Sequence, residues 1–194
     1  MDILAVDQQV LFWLNNLLVG KSAVLDNILV FFGVYLVYAL PVIMLTLWFV
    51  YPKRRIPLAL SFGACLIAWL LITKLAVPNL IWFRPRPDFG LIGLKEVFFH
   101  RPSYSFPSDH ATALFAITIG LYVFNWRKAA NYFLAYSIVI LFARVIIGVH
   151  FPLDIIGGVV SGAIGVFLVY LTDGFWSDKV LKPIIKVLKR VYLA

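Results

Sequence analysis

The chain has 194 residues, of which 63% are hydrophobic and 13% are charged, and its formal net charge is +8. A soluble globular domain averages about 45–50% apolar and about 25% charged residues, so the composition excludes one and indicates an integral membrane protein. A basic excess is also typical of nucleic-acid binding. Here the charges lie between long apolar segments, and we expect no nucleic-acid partner. The single Cys65 excludes a disulfide framework and a multi-cysteine metal site.

Five apolar segments are predicted to cross the bilayer, because each approaches the roughly 20 apolar residues that a spanning helix needs. In chain order they are residues 25–51, 56–80, 107–126, 129–144 and 155–172. The third is long enough only if it begins near Pro107, and the fourth only if it includes Arg144. The sequence therefore predicts an all-α, polytopic membrane helix bundle that forms a single integral-membrane domain over residues 1–194.

The two terminal segments are predicted to be helices at the membrane interface. Residues 3–18 are apolar but are interrupted by five polar side chains, which favours a helix on the membrane surface over a sixth span. No Lys or Arg precedes Lys21, so we expect no cleavable signal peptide. Basic and apolar residues alternate over 179–191, which indicates a helix resting on anionic lipid; a solvated basic tail is the alternative.

The distribution of Lys and Arg predicts the orientation of the bundle. With five spans, the basic residues at 53–55, at 127–128 and in the C-terminal tail all fall on one side, which the positive-inside rule assigns to the cytoplasm. Loops 80–106 and 148–153 are then extracytoplasmic, yet they also carry basic residues. An anionic ligand is the simplest explanation for those additional charges.

Three short polar segments flank the predicted outer face. They are Arg84-Pro-Arg-Pro after the second span, Pro107-Ser-Asp-His at the start of the third, and Arg144-x5-His150-x3-Asp154 from the fourth span into the fifth. Each alone is weak, since an Arg-Pro pair is often only a helix stop and a histidine that opens a helix is usually structural. Together, in this order and on one side, they indicate phosphoryl transfer.

Each residue type in these segments suits a step of that chemistry. The guanidinium groups of Arg86 and Arg144 match phosphate oxygens, and a helix that starts at Pro107 leaves backbone N–H groups near Ser108 free to face an anion. The Ser108 hydroxyl adds a donor. His150 contacts Asp154 if the fifth span begins near His150.

The two histidines then take different roles. Asp154 would accept from Nδ1–H of His150 and leave Nε2 basic enough to attack phosphorus. His110 is the candidate acid that protonates the leaving oxygen.

These motifs resemble the type 2 phosphatidic acid phosphatase superfamily of metal-independent lipid phosphatases. Its signature is Lys-x6-Arg-Pro, then Pro-Ser-Gly-His, then Ser-Arg-x5-His-x3-Asp, and the matched positions span residues 79–154. The resemblance implies that His150 becomes a phosphohistidine, that Asp154 orients it and that His110 is the general acid. It also implies that Arg86, Ser108 and Arg144 bind phosphate.

Three positions depart from that signature. Asn79 stands where the lysine belongs, Asp109 replaces the glycine and Ala143 replaces the serine. Asn79 and Asp109 are retained as candidate phosphate-site residues. Lys74 lies five residues before Asn79, about 140° around an α-helix, and is not expected to replace the lysine, whereas Arg84 is a plausible substitute.

The Pro-Ser-Asp-His spelling and the missing lysine resemble the branch that dephosphorylates undecaprenyl diphosphate outside the cytoplasmic membrane. Phosphatidylglycerophosphate, phosphatidic acid and lipid A phosphates are alternative substrates for the same residues. A small transporter or lipid-binding protein is the alternative of another class. Neither a metal nor a cofactor is expected, the predicted partners are lipid phosphates and membrane lipids, and the sequence does not indicate an oligomeric state.

Overall fold

The computed structural model describes residues 2–98 and 103–190, and within them the side chains of all residues except 78–81 and 190. We number eight helices in chain order. They are α1 (Ile3–Leu18), α2 (Ala23–Val50), α3 (Pro52–Val77), α4 (Phe89–Ile92), α5 (Asp109–Val123), α6 (Arg127–Ile146), α7 (Pro152–Leu171) and α8 (Lys182–Arg190). The last part of α3 belongs to a π-helical segment, Ala68–Ile81, and short helical turns at Asp173–Phe175 and Trp176–Leu181 lead into α8. In the described residues the pairing outside helices is one antiparallel bridge, between Pro85 and Tyr104. The predicted all-α fold is confirmed.

Four helices of the described chain, α2, α3, α6 and α7, are long and apolar enough to cross a membrane. They correspond to the predicted first, second, fourth and fifth spans, and they make the chain a multi-pass membrane protein. The predicted third span is α5, which has 15 residues and is therefore about 22 Å long. That is shorter than a bilayer core of about 30 Å.

Both ends of α5 have a clear local cause. Ser108 is its N-cap and accepts from the Ala111 N–H at 3.4 Å, so the helix begins at Asp109 and not near Pro107. At the other end Asn125 has a positive φ of 64°, which L-residues rarely adopt inside helices. Asn125 N–H donates to the Tyr122 carbonyl and Trp126 N–H to the Leu121 carbonyl, the hydrogen bonds of a Schellman motif.

The short helix α5 lies at the centre of the bundle, in contact with α3, α6 and α7. Side-chain hydrogen bonds link it to two of them: Thr112 to Thr73 of α3 at 3.1 Å, and Thr118 to Ser137 of α6 at 3.3 Å. In lipid, apolar surface gives little drive for helices to associate, so close packing and such hydrogen bonds hold the bundle together.

Two glycines of α7 allow its backbone to approach α5 closely. A Cβ atom on Gly158 would lie 2.5 Å from the Ala111 Cβ, and one on Gly162 would lie 2.8 Å from the Ala116 backbone nitrogen. Glycines four apart on one helix face are the usual means of close contact between membrane helices. This contact brings the first turn of α7 beside the first turn of α5.

The three basic segments lie at the end of the bundle opposite to the polar motifs. Arg54 Nη1 donates to the Asn125 carbonyl at 2.9 Å, which joins the α2–α3 turn to the α5–α6 turn. Leu181, just before α8, packs against the same buried cluster as Ile56 and Phe124. Since α5 runs from Asp109 to this end, the polar motifs at its start lie at the other.

The terminal segments are helical, as predicted. With 16 residues, α1 is outside the set of four long apolar helices. It packs against α6 and α7 and buries Asp7, Leu11 and Asn15, which lie four residues apart. The lysines of α8 are exposed, whereas Leu188 is partly buried. Contact of α1 and α8 with lipid stays a prediction.

Substitution of Gly162 tests the α5–α7 contact. In Gly162→Ala the new methyl group meets backbone atoms of α5, and over-packing of this kind costs about 1–3 kcal/mol. We expect a lower thermal midpoint in detergent. The matched control is Gly63→Ala on α3, where a Cβ meets nothing within 4 Å and the better helix former should leave the midpoint equal or higher. Equal midpoints for the two variants would contradict the proposed packing.

Candidate active site

The three polar motifs meet at one end of the bundle, and backbone hydrogen bonds hold them together. Ser105 N–H donates to the Arg84 carbonyl at 2.6 Å, and Arg86 N–H donates to the Ser103 carbonyl at 3.3 Å. The residues before α5 are thus tied to the loop after α3. Ser108 N–H donates to the Asp154 carbonyl at 3.0 Å, which ties the start of α5 to α7.

His150 lies in the turn between α6 and α7, with only 1% of its surface exposed. Its Nε2 is 3.4 Å from Nη1 of Arg86, and its Nδ1 is 3.4 Å from both the Ser105 hydroxyl and an oxygen of Asp154. A guanidinium can only donate, so Nε2 beside it is the unprotonated nitrogen and Nδ1 carries the proton. Contacts of this length are common in active sites before substrate binds.

The contact between His150 and Asp154 has a different origin from the one that the sequence suggested. The helix α7 begins at Pro152, so His150 precedes it and the two residues are not neighbours on a helix face. Instead, Asp154 accepts from Phe151 N–H at 2.8 Å, and this hydrogen bond folds the preceding turn back over the first turn of α7. The turn carries His150 to the carboxylate.

The Asp154 carboxylate has no exposed side-chain surface and accepts hydrogen bonds at both oxygens. One oxygen receives Phe151 N–H, the Ser105 hydroxyl and the weaker His150 contact, while the other receives Arg84 Nη1 at 3.1 Å. Buried carboxylates are stable only when they are paired in this way.

Arg86 and Arg144 both retain donors that a phosphate can use. Arg86 donates from Nε to the Ser103 hydroxyl at 2.8 Å and from Nη1 to the Val149 carbonyl at 2.8 Å. Among the described residues, these bonds leave Nη2 available to donate to a phosphate. Arg144 is buried and donates from Nη1 to the Gly33 carbonyl at 2.7 Å. Its Nε has no hydrogen-bond partner among the described residues.

The charge of Arg86 persists in this site. Burial lowers the pKa of its guanidinium, while the negative charges near it, chiefly Asp109 and Asp154, oppose that change. Because the ordinary pKa of arginine is above 12, the side chain stays a cation at any physiological pH.

Ser108 is placed differently from the sequence expectation. It has no exposed surface, its hydroxyl caps α5, and its N–H is already used by the Asp154 carbonyl. The expectation that backbone N–H groups near Ser108 are free to face an anion is therefore wrong for the Ser108 N–H. Its contacts favour a role in joining α5 to α7.

Arg84, the candidate substitute for the family lysine, is already paired with carboxylates of the protein. Its guanidinium donates to Asp7 at 2.6 Å and to Asp154 at 3.1 Å, and it lies 3.8 Å from the Phe151 ring centre. With two carboxylates and an aromatic face in contact, these positions favour a structural or positioning role over phosphate binding.

Lys74 contacts Asp109 of the second motif, although it was not expected to replace the family lysine. The segment Ala68–Ile81 is π-helical, so its backbone hydrogen bonds join residues five apart. Positions 74 and 79 are then on nearby faces of the helix, and the 140° separation expected for an α-helix does not apply. Lys74 Nζ lies 2.5 Å from Asp109 and 5.1 Å from the Tyr104 ring centre.

His110 lies near the same cations. It is half-buried in the first turn of α5 and within electrostatic range of Arg144, His150, Arg86 and Lys74. One oxygen of the neighbouring Asp109 is buried and has no hydrogen-bond partner among the described residues. The structure thus brings His110 to the cluster that the motifs predicted.

One predicted position, the side chain of Asn79, lies outside the described residues. His100 and Arg101 of loop 80–106 lie outside them as well. Residues that the motif reasoning missed are Ser105, Ser103, Lys74 and Asp7. Lys74 and Asp7 carried a signal, since an ionisable side chain in an apolar segment is a functional candidate by default. Isolated loop serines carry none.

A cavity of about 700 Å³ opens beside Arg86, between the loop after α3 and residues Glu96 and Ser103. Arg86 lines this cavity and also contacts His150, so it lies between the cavity and the nucleophile candidate. In the described part of the chain, no group of three or more His, Cys, Asp or Glu side chains is arranged to hold a metal ion.

A model of the PAP2 superfamily matches residues 57–177, which is more than half of the chain. The chain belongs to the PAP2 superfamily. Undecaprenyl-diphosphatase BcrC of Bacillus subtilis (strain 168) is 32% identical over 173 residues, which cover 89% of this chain and 85% of the relative. The bacitracin transport permease protein BcrC of Bacillus licheniformis is 25% identical over 162 residues, with 82% and 77% covered.

A solved structure shares the PAP2 fold described here. The crystal structure of LpxE from Aquifex aeolicus superposes with a TM-score of 0.67 and 22% identity, covering 88% of this chain and 98% of the other. At that identity the likeness establishes the fold alone. The family resemblance drawn from the motifs, and the expectation of a membrane phosphatase, are confirmed by these matches.

Substitution of Lys74 tests its place in the PAP2 site. Loss of one charge-assisted hydrogen bond to a phosphoryl oxygen costs about 1.5–3 kcal/mol, so Lys74→Met should lower kcat/KM for a lipid phosphate about 10- to 100-fold. Phosphate release in detergent measures it. Lys53→Met, at the basic end of the bundle, is the control and should keep the wild-type value. Wild-type efficiency in Lys74→Met with an unchanged thermal midpoint would show that Lys74 does not contact substrate.

Proposed function

We propose that this protein hydrolyses undecaprenyl diphosphate to undecaprenyl phosphate and inorganic phosphate through a phosphohistidine on His150. The environment of His150 carries the proposal. Its Nε2 is turned toward Arg86, a cation that suits a phosphate, and its Nδ1 is turned toward Asp154 and Ser105. A histidine nucleophile needs one unprotonated ring nitrogen directed at the phosphorus and the other held by an acceptor.

In the first step Nε2 of His150 attacks the terminal phosphorus. A P–N bond forms, the bridging P–O bond breaks, and its electron pair leaves with the oxygen of undecaprenyl phosphate. His110 donates a proton to that oxygen. Asp154 stabilises the positive charge that develops on the imidazole, because its carboxylate faces Nδ1. Arg86, Arg144 and Lys74 supply positive charge to the phosphoryl oxygens, where most of the transition-state charge lies.

In the second step water attacks the phosphohistidine. His110, now unprotonated, removes a proton from the water, the P–N bond breaks, and its electron pair returns to Nε2. Inorganic phosphate leaves and His150 is regenerated. The two steps use the same cations, since both transfer the same phosphoryl group between an oxygen and a nitrogen.

The substrate proposal rests on the relatives and on the motif spelling. Bacillus subtilis BcrC carries the name undecaprenyl-diphosphatase and is 32% identical to this chain. The Pro-Ser-Asp-His spelling with Asn79 in place of lysine supports the same branch. Phosphatidylglycerophosphate, phosphatidic acid and lipid A phosphates fit the same catalytic residues and are the alternative substrates.

Transport is the alternative function of another class, and the name of the Bacillus licheniformis relative gives it some support. A transport pathway is expected to place charges along the length of the bundle. The buried or half-buried charges around His150 lie together at one end, and even Lys74 pairs with Asp109 there. An imidazole held between a carboxylate and a guanidinium favours hydrolysis.

Phosphate release from a panel of lipids tests the function. Purified protein should release phosphate from undecaprenyl diphosphate faster than from phosphatidylglycerophosphate, phosphatidic acid or lipid A. Activity should persist in chelator, because arginine and lysine supply the positive charge in the described site. A preference for another lipid would change the substrate, and loss in chelator with recovery in Mg²⁺ would move the protein to another mechanism.

Removal of the nucleophile tests the phosphohistidine. His150→Ala should lower kcat by at least about 10³-fold, as loss of a covalent nucleophile does in other enzymes. Wild-type protein quenched in alkali during turnover of ³²P-labelled substrate should carry label that acid releases, because P–N bonds survive alkali and break in acid. The variant should carry none. Near-normal turnover by a folded His150→Ala protein would exclude the mechanism.

We infer that the active site faces the extracytoplasmic side of the cell membrane. The three basic segments lie together at the other end of the bundle, where Arg54 contacts the Asn125 carbonyl, and short-loop Lys and Arg favour the cytoplasm. The basic residues of the site end have an anionic substrate to explain them. The carrier lipid would then be dephosphorylated after it has delivered its cargo across the membrane.

Single-cysteine labelling in intact cells tests this orientation. In a Cys65→Ala background, a membrane-impermeant maleimide should label Glu96→Cys, which lines the site cavity, and should not label Gly174→Cys at the basic end. Both substitutions leave every Lys and Arg in place, and both should be labelled after permeabilisation. Labelling of Gly174→Cys alone in intact cells would place the active site in the cytoplasm.

A further inference from the structure

A chain of three buried charges connects the N-terminal helix to the catalytic turn. Asp7 of α1 accepts from Arg84 Nη2 at 2.6 Å, and Arg84 Nη1 donates to Asp154 at 3.1 Å. The side-chain exposures of Asp7, Arg84 and Asp154 are 2%, 8% and 0%. One cation is thus shared by two carboxylates, of which one contacts His150.

Asp7 and Arg84 also contact the backbone and the ring that lie between His150 and Asp154. The second oxygen of Asp7 accepts from Leu153 N–H at 2.8 Å, in the first turn of α7. The guanidinium of Arg84 lies 3.8 Å from the Phe151 ring centre. The two residues therefore fix both the turn that carries His150 and the carboxylate that faces it.

The geometry of Asp154 depends on Arg84. Because Arg84 binds one carboxylate oxygen, rotation of the carboxylate is restricted and the other oxygen stays directed at Ser105, Phe151 N–H and His150 Nδ1. Asp7 in turn shares the charge of Arg84. Without Asp7 the guanidinium would interact with Asp154 alone, and less negative charge would remain to stabilise the imidazolium of His150.

Helix α1 is held in place by a second polar contact on the same face. Asn15, eight residues after Asp7, donates to the Ile146 carbonyl at 2.9 Å and accepts from Lys95 N–H at 2.7 Å. Leu11 lies between them with no exposed surface. Asp7 is therefore held in position by a docked helix. Residues 3–18 nevertheless lie outside the segment 57–177 that the family model matches.

We propose that Asp7 and Arg84 are positioning residues of the phosphatase site, and that α1 is thereby a functional part of the active site. The proposal rests on the proposed role of His150 as nucleophile. Neither residue contacts substrate; both act through Asp154. Their loss should slow phosphohistidine formation and leave substrate binding intact, whereas a purely structural role would change only the amount of folded protein.

Two conservative substitutions test the proposal. Asp7→Asn removes the charge, and Arg84→Lys keeps the charge but cannot bridge two carboxylates with a planar fork. Loss of a hydrogen bond to a charged group weakens the interaction by a factor of about 10 to 100. We expect kcat and the rate of ³²P-phosphohistidine formation to fall by that factor in folded protein, with KM unchanged. Asp7→Glu should recover part of the kcat lost in Asp7→Asn.

The control is Leu11→Ala, which weakens the docking of α1 without touching a charge. Its thermal midpoint should fall, while kcat measured well below that midpoint should stay close to wild type. Wild-type kcat in either Asp7→Asn or Arg84→Lys would overturn the proposal, as would an equal loss of kcat in Leu11→Ala. If His150→Ala remained active, the failure would instead lie in the proposed mechanism.

Discussion

Asp154 places a carboxylate without exposed surface in the first turn of a membrane helix. A buried charge of this kind is stable only when hydrogen-bond donors surround it. Those donors come from separate parts of the chain: Arg84 after α3, Ser105 before α5, and the backbone of Phe151. Because these segments converge on one anion, the contacts that satisfy Asp154 also bring Arg86 to His150 and assemble the candidate site.

The sequence predicted most of the fold and the members of the candidate site. Hydropathy located four long helices, because the length of an apolar segment is a local property. The spacing of histidines, arginines and aspartates in three motifs indicated which side chains should meet, and the structure brings His110, His150 and Arg86 into one cluster. The reason for the His150–Asp154 contact was not predicted, since it depends on where α7 begins.

Contacts between distant residues could not be predicted from one sequence. Arg84 pairs with Asp7, which is 77 positions away, and no local pattern records such a partner. Lys74 was excluded on the assumption of 3.6 residues per turn, whereas its segment is π-helical. The five polar residues within 3–18 argued against a span, and two of them, Asp7 and Asn15, form the docking face of that helix together with Leu11.

The short length of α5 bears on how deep the candidate site lies in the membrane. If its Asn125 end lies level with the basic segments at one bilayer boundary, its Asp109 end lies about 8 Å below the other. A substrate must then lower its phosphates beneath the membrane surface to reach His110. Glycerol or sugar hydroxyls next to the phosphate would lose water on the way and need new partners. A lipid whose phosphates are joined directly to a hydrocarbon chain has no such hydroxyls, so only its phosphates need new partners.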